Sequence, residues 1–489
     1  MKKYTVVSLI LIFAVSVAVR LYKFNGPIAD WHSFRQVDTA AVARYFVQFG
    51  MDPLHPRYED LSNIQSGKDN PMGWRMVEFP VYQMIAVGLS HISSRISLDG
   101  WLRITTIVAS SGAAILLTLM ISLLISPFTG VLTGVIYAIL PYSVYYGRVT
   151  LAEPLAVFFS VASLYCLVRL SDHGEKRPPE DAWLFIISII SSALAVLVKP
   201  TAGFLLIPVP YLLWKKYGFS KEFIVRSFLY AALSLSPFLW WRHWILQFPE
   251  GIPASDWLFN KGDIRFKGAW FYWLFSQRIA NLILGYWGVV PFVLGLILPG
   301  GKREGWTLRW LTVGSLLYLI VFAAGNVQHD YYQILLLPIV SIYVAKGIVF
   351  MVTHKVFSRP MAVVMAGTCI AFMVAFSWYT IRSYYWINHP EIIEAGTAAD
   401  KLLPKNAKVI APYNGDTTFL YATHRQGWPL GFDIDKKIAM GATAYVTVSP
   451  TDNDWETKTL AEQYTVLVRN KTFAIIDLTK PKTVVKNTK

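Results

Sequence analysis

Apolar segments long enough to cross a lipid bilayer recur along most of this chain. A membrane-spanning helix needs roughly 20 apolar residues, because each residue advances it by about 1.5 Å through a hydrocarbon core about 30 Å thick. Such segments follow one another between residues 4 and 381, and only 15% of the 489 residues are charged. Soluble proteins carry roughly 25% charged residues. The sequence therefore predicts a polytopic α-helical membrane protein.

Eleven spans account for these segments. They are expected at residues 4–22, 101–125, 128–146, 151–169, 183–198, 201–214, 222–245, 284–299, 308–325, 333–351 and 361–381. The fifth and sixth spans are short, and they can alternatively form one broken helix. The first span is not expected to be a removable signal peptide, because the VRLYKF at its end is a poor small-residue cleavage site.

Clustered basic residues set the expected orientation. Lys2 and Lys3 precede the first span, and four of the five connections expected on the same side carry clustered Lys or Arg. Because cytoplasmic connections are enriched in these residues, the N-terminus is expected to be cytoplasmic. The C-terminus, after an odd number of spans, is then extracytoplasmic. The net charge of +15 is attributed to these anchors and to anionic lipid, rather than to nucleic-acid binding.

Two long connections fall on the expected outer side. The first, about residues 23–100, contains VDTAAVARYFVQFG and EFPVYQMIAVGLSHISSRI, which are expected to form juxtamembrane helices. If the second helix crossed the membrane instead, the basic GGKREG and WKK segments would face outward, against the charge pattern. The other connection, about residues 246–283, is aromatic and basic. It either anchors at the membrane surface or closes over a site as a lid.

The C-terminal part of the chain has a different composition. Helices are predicted for EIIEAGTAADKLL and ETKTLAEQY, strands for AKVIAPY and TAYVTVSP, and a hairpin for TVLVRNKTFAIIDL. Helices alternating with buried strands are typical of an α/β domain. The chain is therefore expected to divide into a transmembrane catalytic domain (1–381), a small extracytoplasmic α/β domain (382–480) and a disordered tail (481–489).

A group of polar side chains follows the first span on its expected outer side. It consists of Asp30, His32, Arg35, Gln36, Asp38 and Arg44. Acids and bases at a membrane edge are costly unless water, a partner or a substrate satisfies them. A carboxylate placed there can take the proton of an attacking hydroxyl, so Asp30 and Asp38 are the candidate general bases. The alternative is that one or both form a salt bridge or cap, and Asp38 precedes a helical segment.

Cations at the expected outer ends of spans are candidates for phosphate binding. They are Arg35, Arg148 and Lys199, and they can stabilise a departing phosphate without a proton donor. Lys199 lies between two apolar stretches, where an unpaired ammonium is costly unless it reaches the headgroups. Arg148 and Glu153 can alternatively form a structural ion pair.

Further candidate substrate contacts lie in the first outer loop and at the outer end of the tenth expected span. They are Gln36, Glu78, His329, Asp330, Tyr331 and Tyr332. The two tyrosines can equally belong to an interfacial aromatic belt. His329 and Asp330 have metal-ligand chemistry, but two residues make no metal site. No metal site or cofactor is therefore assigned, and dependence on a divalent cation stays open. The two cysteines, Cys166 and Cys369, provide no disulfide framework.

The order of these motifs resembles that of membrane glycosyltransferases of the GT-C superfamily. The most similar branch is family 39, the protein O-mannosyltransferase and aminoarabinose-transferase (ArnT-like) type. The resemblance covers about residues 1–381 and rests on HSFRQVDTAAVARYF, EFPVYQ, GRVTLAEPLAVFF, LVKPTAGFLLIP and HDYYQILLLP. It implies an inverting transfer from a polyprenyl-phosphate sugar to a hydroxyl or amine of a glycolipid, glycan or protein.

The resemblance also implies roles for particular residues. The family's catalytic acid lies at the start of the juxtamembrane helix, which corresponds to Asp30 or Asp38. The common family form is Asp-Glu, whereas here Asp30 is followed by Trp31 and RQVDT stands in place of that form. Lys199 corresponds to a family lysine expected to contact phosphate, and Glu153 stands where the family often has Asp.

A polytopic transporter or flippase of lipid-linked or small polar substrates is the alternative function. Transporters have internal symmetry and broken helices near the middle of the membrane, whereas this chain concentrates its polar residues in the outer loops. A structural subunit would leave the polar residues at 30–44 unexplained. The favoured function is a cell-envelope glycosyltransferase in the cell or inner membrane.

Overall fold

The computed structural model describes residues 3–172, 178–356 and 358–482. Most of the predicted disordered tail, from residue 483 onward, lies outside the described residues, as do residues 1–2 and residues 173–177 of a basic connection. The chain divides into two compact units, which are residues 1–24, 88–244 and 255–385, and residues 25–87, 245–254 and 386–489. The proposed boundary between residues 381 and 382 stays a prediction.

The first unit is helical. Its α-helices are Lys3–Arg20, Leu98–Leu124, Pro127–Ile139, Pro141–Tyr146, Glu153–Asp172, Pro178–Val198, Val209–Tyr217, Lys221–Trp244, Trp257–Asn260, Gly268–Phe271, Val289–Ile297, Thr307–Val321, Ala323–Gln328, Leu337–Thr353 and Arg359–Ile381. Helical segments overlap all eleven predicted spans. Among the described residues, six helices have the length and apolar composition to cross a membrane, so the count of eleven crossings stays a prediction.

The region of the fifth and sixth predicted spans is broken by prolines. The α-helix Pro178–Val198 is followed by a 3-10 segment, Pro200–Leu206, and then by the α-helix Val209–Tyr217. Proline lacks an N–H group and clashes with the preceding turn of a helix. Pro200 is the first residue of the 3-10 segment, and Pro208 directly precedes the helix that begins at Val209. The broken-helix alternative therefore describes this region.

Part of the expected outer loop 246–283 is helical instead. The α-helical turn Gly268–Phe271 continues into a π-helical stretch, Tyr272–Ile283. Its polar residues interrupt the apolar pattern that a span would have. One of them, Arg278, points into the protein, where it donates a hydrogen bond of 2.9 Å to the Val327 carbonyl. Helical structure in these sixteen residues was not predicted from the sequence, whereas their place in an outer connection stays a prediction.

Two helices of the first unit approach each other closely through glycines. A Cβ atom at Gly295 would lie 1.9 Å from the Tyr343 carbonyl oxygen, and one at Gly347 would lie 1.8 Å from the Pro291 carbonyl oxygen. No side chain fits at either position. Such small-residue contacts are typical of helix packing in membranes, where van der Waals contact replaces the hydrophobic driving force.

Contacts within the first unit bring the ends of predicted spans together in two sets. Arg148 donates a hydrogen bond to the Lys23 carbonyl, and Lys23 donates one to the Tyr385 carbonyl. These residues follow the expected outer ends of three spans. At the expected inner ends, the Lys346 ammonium lies 2.9 Å from the Glu304 carboxylate. The contacts agree with the expected alternation of spans, while the absolute orientation stays a prediction.

Both juxtamembrane helices of the first outer loop are present. They are Ser33–Phe49, with 17 residues, and Val81–Ser90, with 10 residues. Ten residues of α-helix are about 15 Å long, roughly half of the hydrocarbon thickness. The second helix is therefore too short to cross a membrane, which favours the juxtamembrane alternative.

The second unit contains a five-stranded sheet. Its strands are β1 (Lys408–Ile410), β2 (Gln426–Trp428), β3 (Ala444–Thr447), β4 (Tyr464–Arg469) and β5 (Ala474–Pro481), in the order β2-β1-β3-β5-β4. β1 pairs in parallel with β2 and β3, and β5 pairs antiparallel with β3 and β4. Four helices accompany the strands, at Pro390–Leu402, Thr418–Ala422, Ile434–Ala439 and Trp455–Gln463. The small C-terminal α/β fold predicted from the sequence is confirmed.

The first outer loop extends this sheet at the edge formed by β2. The Gly427 N–H group donates a hydrogen bond of 2.9 Å to the Glu59 carbonyl, and the Leu61 N–H group donates one of 2.8 Å to the Gly427 carbonyl. Leu61 is buried in one core cluster with Ile410 and Trp428. The loop therefore pairs with backbone groups that an edge strand would otherwise expose, which anchors the loop to the α/β fold.

Candidate active site

Asp30 lies just before the juxtamembrane helix Ser33–Phe49 and is 7% exposed. Its Oδ1 atom accepts a hydrogen bond of 2.7 Å from Gln36 Nε2, and the same amide donates to the Trp31 carbonyl at 3.0 Å. Both N–H groups of the buried Gln36 amide are therefore used within the protein. In this geometry Gln36 orients the Asp30 carboxylate.

Asp38 is buried on the same helix and is held by three donors. Its Oδ1 atom accepts from the Thr417 hydroxyl at 2.7 Å. Its Oδ2 atom lies 3.0 Å from Gln65 Nε2 and 2.9 Å from Arg75 Nη2. Arg75 in turn donates to the Gln65 side-chain oxygen. Both carboxylate oxygens of Asp38 are therefore engaged by donors of the protein itself. The geometry favours the salt-bridge alternative for Asp38.

Arg35 and Glu78 form an ion pair between the two juxtamembrane segments. Arg35 Nη2 lies 2.8 Å from Glu78 Oε1, and both side chains are mostly buried. Nearby, Gln83 donates a hydrogen bond of 3.4 Å to the Thr39 carbonyl. The pair brings two predicted substrate contacts together, and each charge is at least partly neutralised by the other.

Two carboxylates of the first outer loop have raised pKa values. Burial raises the pKa of Glu59 to about 7, although the Arg44 guanidinium, 3.2 Å away, opposes the shift. Burial also raises the pKa of Asp60 to about 6, against hydrogen bonds from Ser62. Arg44 also donates to the Tyr421 carbonyl at 2.8 Å and lies over the Tyr421 ring. These carboxylates therefore lie where the loop meets the α/β fold.

We expect protein stability to fall as the pH rises from 5.5 to 8. A raised carboxyl pKa means that the folded state binds the proton more tightly, so the stabilisation is greatest below about 4.5 and is lost as the pH rises through about 7. For Glu59 the loss of unfolding free energy between pH 5.5 and pH 8 is about 2 kcal/mol. Thermal unfolding of the purified protein measures it. Glu59→Gln should flatten the pH dependence, whereas the exposed control Glu462→Gln should not; equal slopes in both variants would contradict this assignment.

Lys199 in the first unit is paired with Glu153. Its ammonium lies 2.7 Å from Glu153 Oε1, and the two residues are 8% and 1% exposed. The expectation of a lone ammonium was wrong, because the partner comes from another helix rather than from the local sequence. Glu153 is the first residue of helix Glu153–Asp172, where the helix dipole favours a negative charge.

Arg148 is buried among aromatic rings. Its Nη1 atom donates a hydrogen bond of 2.9 Å to the Lys23 carbonyl. Its guanidinium carbon lies 4.9 Å from the centroid of the Tyr385 ring and 5.6 Å from that of Tyr145. These contacts give Arg148 a packing role in the first unit, beside its predicted role as a phosphate contact.

Asp330 is buried at the centre of a tyrosine cluster. Its Oδ1 atom accepts a hydrogen bond of 2.5 Å from the Tyr146 hydroxyl, and its Oδ2 atom accepts one from the Tyr384 hydroxyl. The Tyr142 hydroxyl donates to the Asp330 backbone carbonyl at 2.5 Å. Arg278 Nη1 lies 3.8 Å from Oδ2. Asp330 therefore has a structural role in joining several segments of the first unit.

The partners of Asp330 were not predicted from the sequence. Their signals were present but ambiguous: paired tyrosines in PYSVYYGR and RSYYW, and a single arginine in an aromatic stretch. Aromatic and basic residues are common at the ends of spans, where they usually lie at the membrane interface. Only the tertiary structure identifies the buried carboxylate that they share.

His329, Tyr331 and Tyr332 form an aromatic stack. The ring centroids of His329 and Tyr331 are 5.3 Å apart, and those of the two tyrosines are 4.9 Å apart. Trp257 contacts His329 edge-on, with ring centroids 5.5 Å apart. Both tyrosines are buried, which argues against the membrane-belt alternative. Their role as substrate contacts stays a prediction.

The structure brings together four sets of predicted site residues. They are Asp30 with Gln36, Arg35 with Glu78, Glu153 with Lys199, and His329 with Tyr331 and Tyr332. The first two sets belong to the second unit and the last two to the first unit. Among the described residues, no group of three or more His, Cys, Asp or Glu side chains is arranged to hold a metal ion.

Known proteins resemble this chain in sequence and in fold. Residues 94–250 match the family described as dolichyl-phosphate-mannose-protein mannosyltransferase. No curated protein matches the chain significantly in sequence. Among solved structures, ArnT from Cupriavidus metallidurans bound to undecaprenyl phosphate has a TM-score of 0.65 at 11% identity, over 96% of this chain and 97% of that one.

Two further solved structures share the fold over most of this chain. The oligosaccharyltransferase AglB from Archaeoglobus fulgidus, in complex with an inhibitory peptide and a dolichol-phosphate, has a TM-score of 0.56 at 12% identity, over 97% of this chain and 74% of that one. The arabinofuranosyltransferase AftD from Mycobacteria has a TM-score of 0.57 at 12% identity, over 96% of this chain and 41% of that one. The family match over residues 94–250 and the shared fold agree with the resemblance inferred from the sequence: this chain has the GT-C fold that these membrane glycosyltransferases share.

Proposed function

We propose that this protein transfers a sugar from a polyprenyl-phosphate donor to a hydroxyl or amine of an extracytoplasmic acceptor, with Asp30 as the general base. The acceptor is a glycolipid, glycan or protein of the cell envelope. The donor class is supported by the ArnT structure with undecaprenyl phosphate and the AglB structure with dolichol-phosphate. The observation that carries the choice of base is the position of Asp38, whose two oxygens are held by Arg75, Gln65 and Thr417 in a structural ion-pair network. Of the two candidates this leaves Asp30, which Gln36 orients.

The proposed reaction is a single displacement. The acceptor oxygen or nitrogen gives its proton to the Asp30 carboxylate and forms a bond to the anomeric carbon. The bond from that carbon to the phosphate oxygen breaks, and polyprenyl phosphate leaves with both bonding electrons. One displacement inverts the anomeric configuration. The step therefore needs one base and stabilisation of the leaving group, and no covalent enzyme intermediate.

The leaving phosphate is assigned to cations of the first unit, Lys199 and Arg148. Lys199 is an ion-pair partner of Glu153, but an ammonium has three N–H donors and can serve a carboxylate and a phosphate together. A cation held in place by a fixed partner needs little reorganisation as charge develops on the leaving group. Arg35 and Glu78, and the aromatic stack at His329, remain proposed contacts for the other parts of the substrates.

A screen of lipid-linked sugars tests the function. Purified protein in detergent is incubated with polyprenyl-phosphate sugars and an acceptor mixture, and release of polyprenyl phosphate is measured. Release is expected with at least one sugar, and Asp30→Asn should suppress it. A transporter or flippase would instead move the labelled donor across a vesicle membrane without releasing polyprenyl phosphate, and that result would refute the proposal.

The proposed location of the reaction follows from the basic connections. We expect a cytoplasmic N-terminus and an α/β fold on the outer side of the cell or inner membrane. Single cysteines introduced at Gly301 and at Thr451 test this orientation in intact cells. The cysteine at 451 should react with a membrane-impermeant thiol reagent, and the one at 301 should not. The opposite pattern would invert the proposed topology.

A further inference from the structure

A cleft that no role described above uses opens within the second unit. Its volume is 190 Å³, and it is bordered by the C-terminal half of helix Ser33–Phe49, by Tyr58 and Glu59, and by residues 405–408 and 424–426. Sites for drug-sized ligands have volumes of about 300–1,000 Å³. This cleft therefore has room for a single small ring and its substituents.

One wall of the cleft is aromatic. The ring centroids of Tyr45 and Phe49, one helical turn apart, are separated by 4.5 Å, and the ring planes are tilted by 35°. The Tyr45 hydroxyl accepts a hydrogen bond of 3.0 Å from Arg57 Nη1, which holds its ring. Phe49 is 68% exposed. An exposed aromatic face of this kind is a surface on which the C–H face of a sugar ring can stack.

The rest of the lining carries more positive than negative charge. Its described residues include Lys405, Lys408 and Arg425 against one carboxylate, Glu59. Lys405 and Arg425 share a partner, since both lie within 2.8 Å of Asp400 Oδ1. Lys408 is half-buried, and within the described parts of the chain its ammonium has no ion-pair partner. The end of its side chain packs beside Gly441, about 4.0 Å from where a Cβ atom would stand, and it would turn toward the cleft to meet an external anion.

We propose that this cleft binds an anionic saccharide unit of the acceptor, a uronate or a phosphorylated hexose. The proposal rests on the transferase function proposed above and gives the acceptor a chemical class. The sugar ring stacks on Tyr45 and Phe49, and its anionic group pairs with Lys408. Gln48 and Asn406 belong to the lining and are exposed. Their amide groups hydrogen-bond to hydroxyl groups of the bound sugar. This combination of one aromatic wall, amide groups and a spare cation matches a charged sugar better than an apolar ligand.

Titrations with simple sugars on the full-length protein in detergent test the proposal. The probes are methyl β-D-glucuronide, glucose 6-phosphate and the neutral methyl β-D-glucoside, and binding is followed by ligand-observed NMR. At least one anionic probe should bind about tenfold more tightly than the neutral one, which corresponds to about 1.4 kcal/mol. Comparison of the two anionic probes distinguishes a carboxylate from a phosphate. Lys408→Ala should remove the preference, and Lys408→Arg should retain most of it.

The aromatic wall has its own variant and a matched control. Phe49→Ala should weaken all probes by at least fivefold, whereas Trp455→Ala, which removes an exposed aromatic of the same unit outside the cleft, should change none. If Phe49 only anchors its helix at the membrane, its loss will leave every affinity unchanged and the proposal is wrong. Equal affinities for charged and neutral probes in the unmodified protein would also overturn it. Release of polyprenyl phosphate is measured separately, so that saccharide binding without any donor turnover would refute the transferase function and leave the cleft as a saccharide site.

Discussion

Replacing Asp30 by asparagine should lower the rate of sugar transfer by a factor of about 10² or more. The change keeps the size of the side chain and removes the proton acceptor, and general-base catalysis contributes about 10²–10⁴-fold. Gln36 can still donate to the side-chain oxygen that it contacts now, so the loop should remain folded. Single-turnover transfer from a preloaded donor measures the rate, and thermal unfolding verifies the fold.

The matched control is Asp38→Asn on the same helix. This variant removes the negative charge opposite Arg75 and weakens the contacts to Gln65 and Thr417. Breaking a buried ion pair costs about 3–5 kcal/mol, so stability should fall while the rate per folded molecule stays within a few-fold of the unmodified value. If Asp38→Asn abolishes transfer in a stable protein and Asp30→Asn does not, the two assignments must be exchanged.

Removing Glu153 should destabilise the protein by about 3–5 kcal/mol, because Glu153→Leu leaves the Lys199 ammonium buried without its carboxylate. Lys199→Met should have a comparable effect by leaving the carboxylate unpaired. The double variant Glu153→Leu, Lys199→Met replaces the pair by apolar side chains and should recover most of the lost stability. Thermal unfolding of all four proteins in one detergent gives the coupling between the two residues.

The double variant also decides whether Lys199 contacts the donor phosphate. It removes the cation from a protein that should still fold, so a change in donor affinity cannot be attributed to unfolding. We expect donor binding to weaken at least tenfold and Lys199→Arg to retain part of the activity. Donor affinity equal to that of the unmodified protein would give Lys199 a purely structural role and leave Arg148 as the proposed phosphate contact of the first unit.

Local patterns were sufficient for most of the fold. Apolar segments of span length located the transmembrane helices, and the juxtamembrane helix Ser33–Phe49 followed from VDTAAVARYFVQFG. The helix Tyr272–Ile283 was missed because its polar side chains interrupt the apolar pattern. Strand β2 was missed because only three residues, QGW, pair with β1. A strand that short has no periodicity, and its existence depends on neighbours distant in the chain.

The site was less predictable because its pairings are long-range. The sequence identified Asp30, Asp38, Glu153 and Lys199 as costly polar residues near a membrane edge. It did not reveal that Lys199 has a carboxylate partner, since Glu153 reaches it from a different helix. The three donors around Asp38 likewise come from separate segments, two of them in the first outer loop and one after the last span. Hydrophobic and charge patterns indicate that a polar residue needs a partner, but not which one it has.

The attachment of the first outer loop to the α/β fold has a consequence for biosynthesis. Asp38 and Thr417, which hydrogen-bond to each other, are 379 residues apart in the chain. At translation rates of about 5–20 residues per second, the loop is made roughly 20–75 s before its partner. During that interval Asp38 lacks its Thr417 donor, and the loop backbone near Glu59 lacks the strand that it pairs with. A nascent chain released before residue 417 would therefore carry a first loop that cannot reach its final structure, however complete its transmembrane helices are.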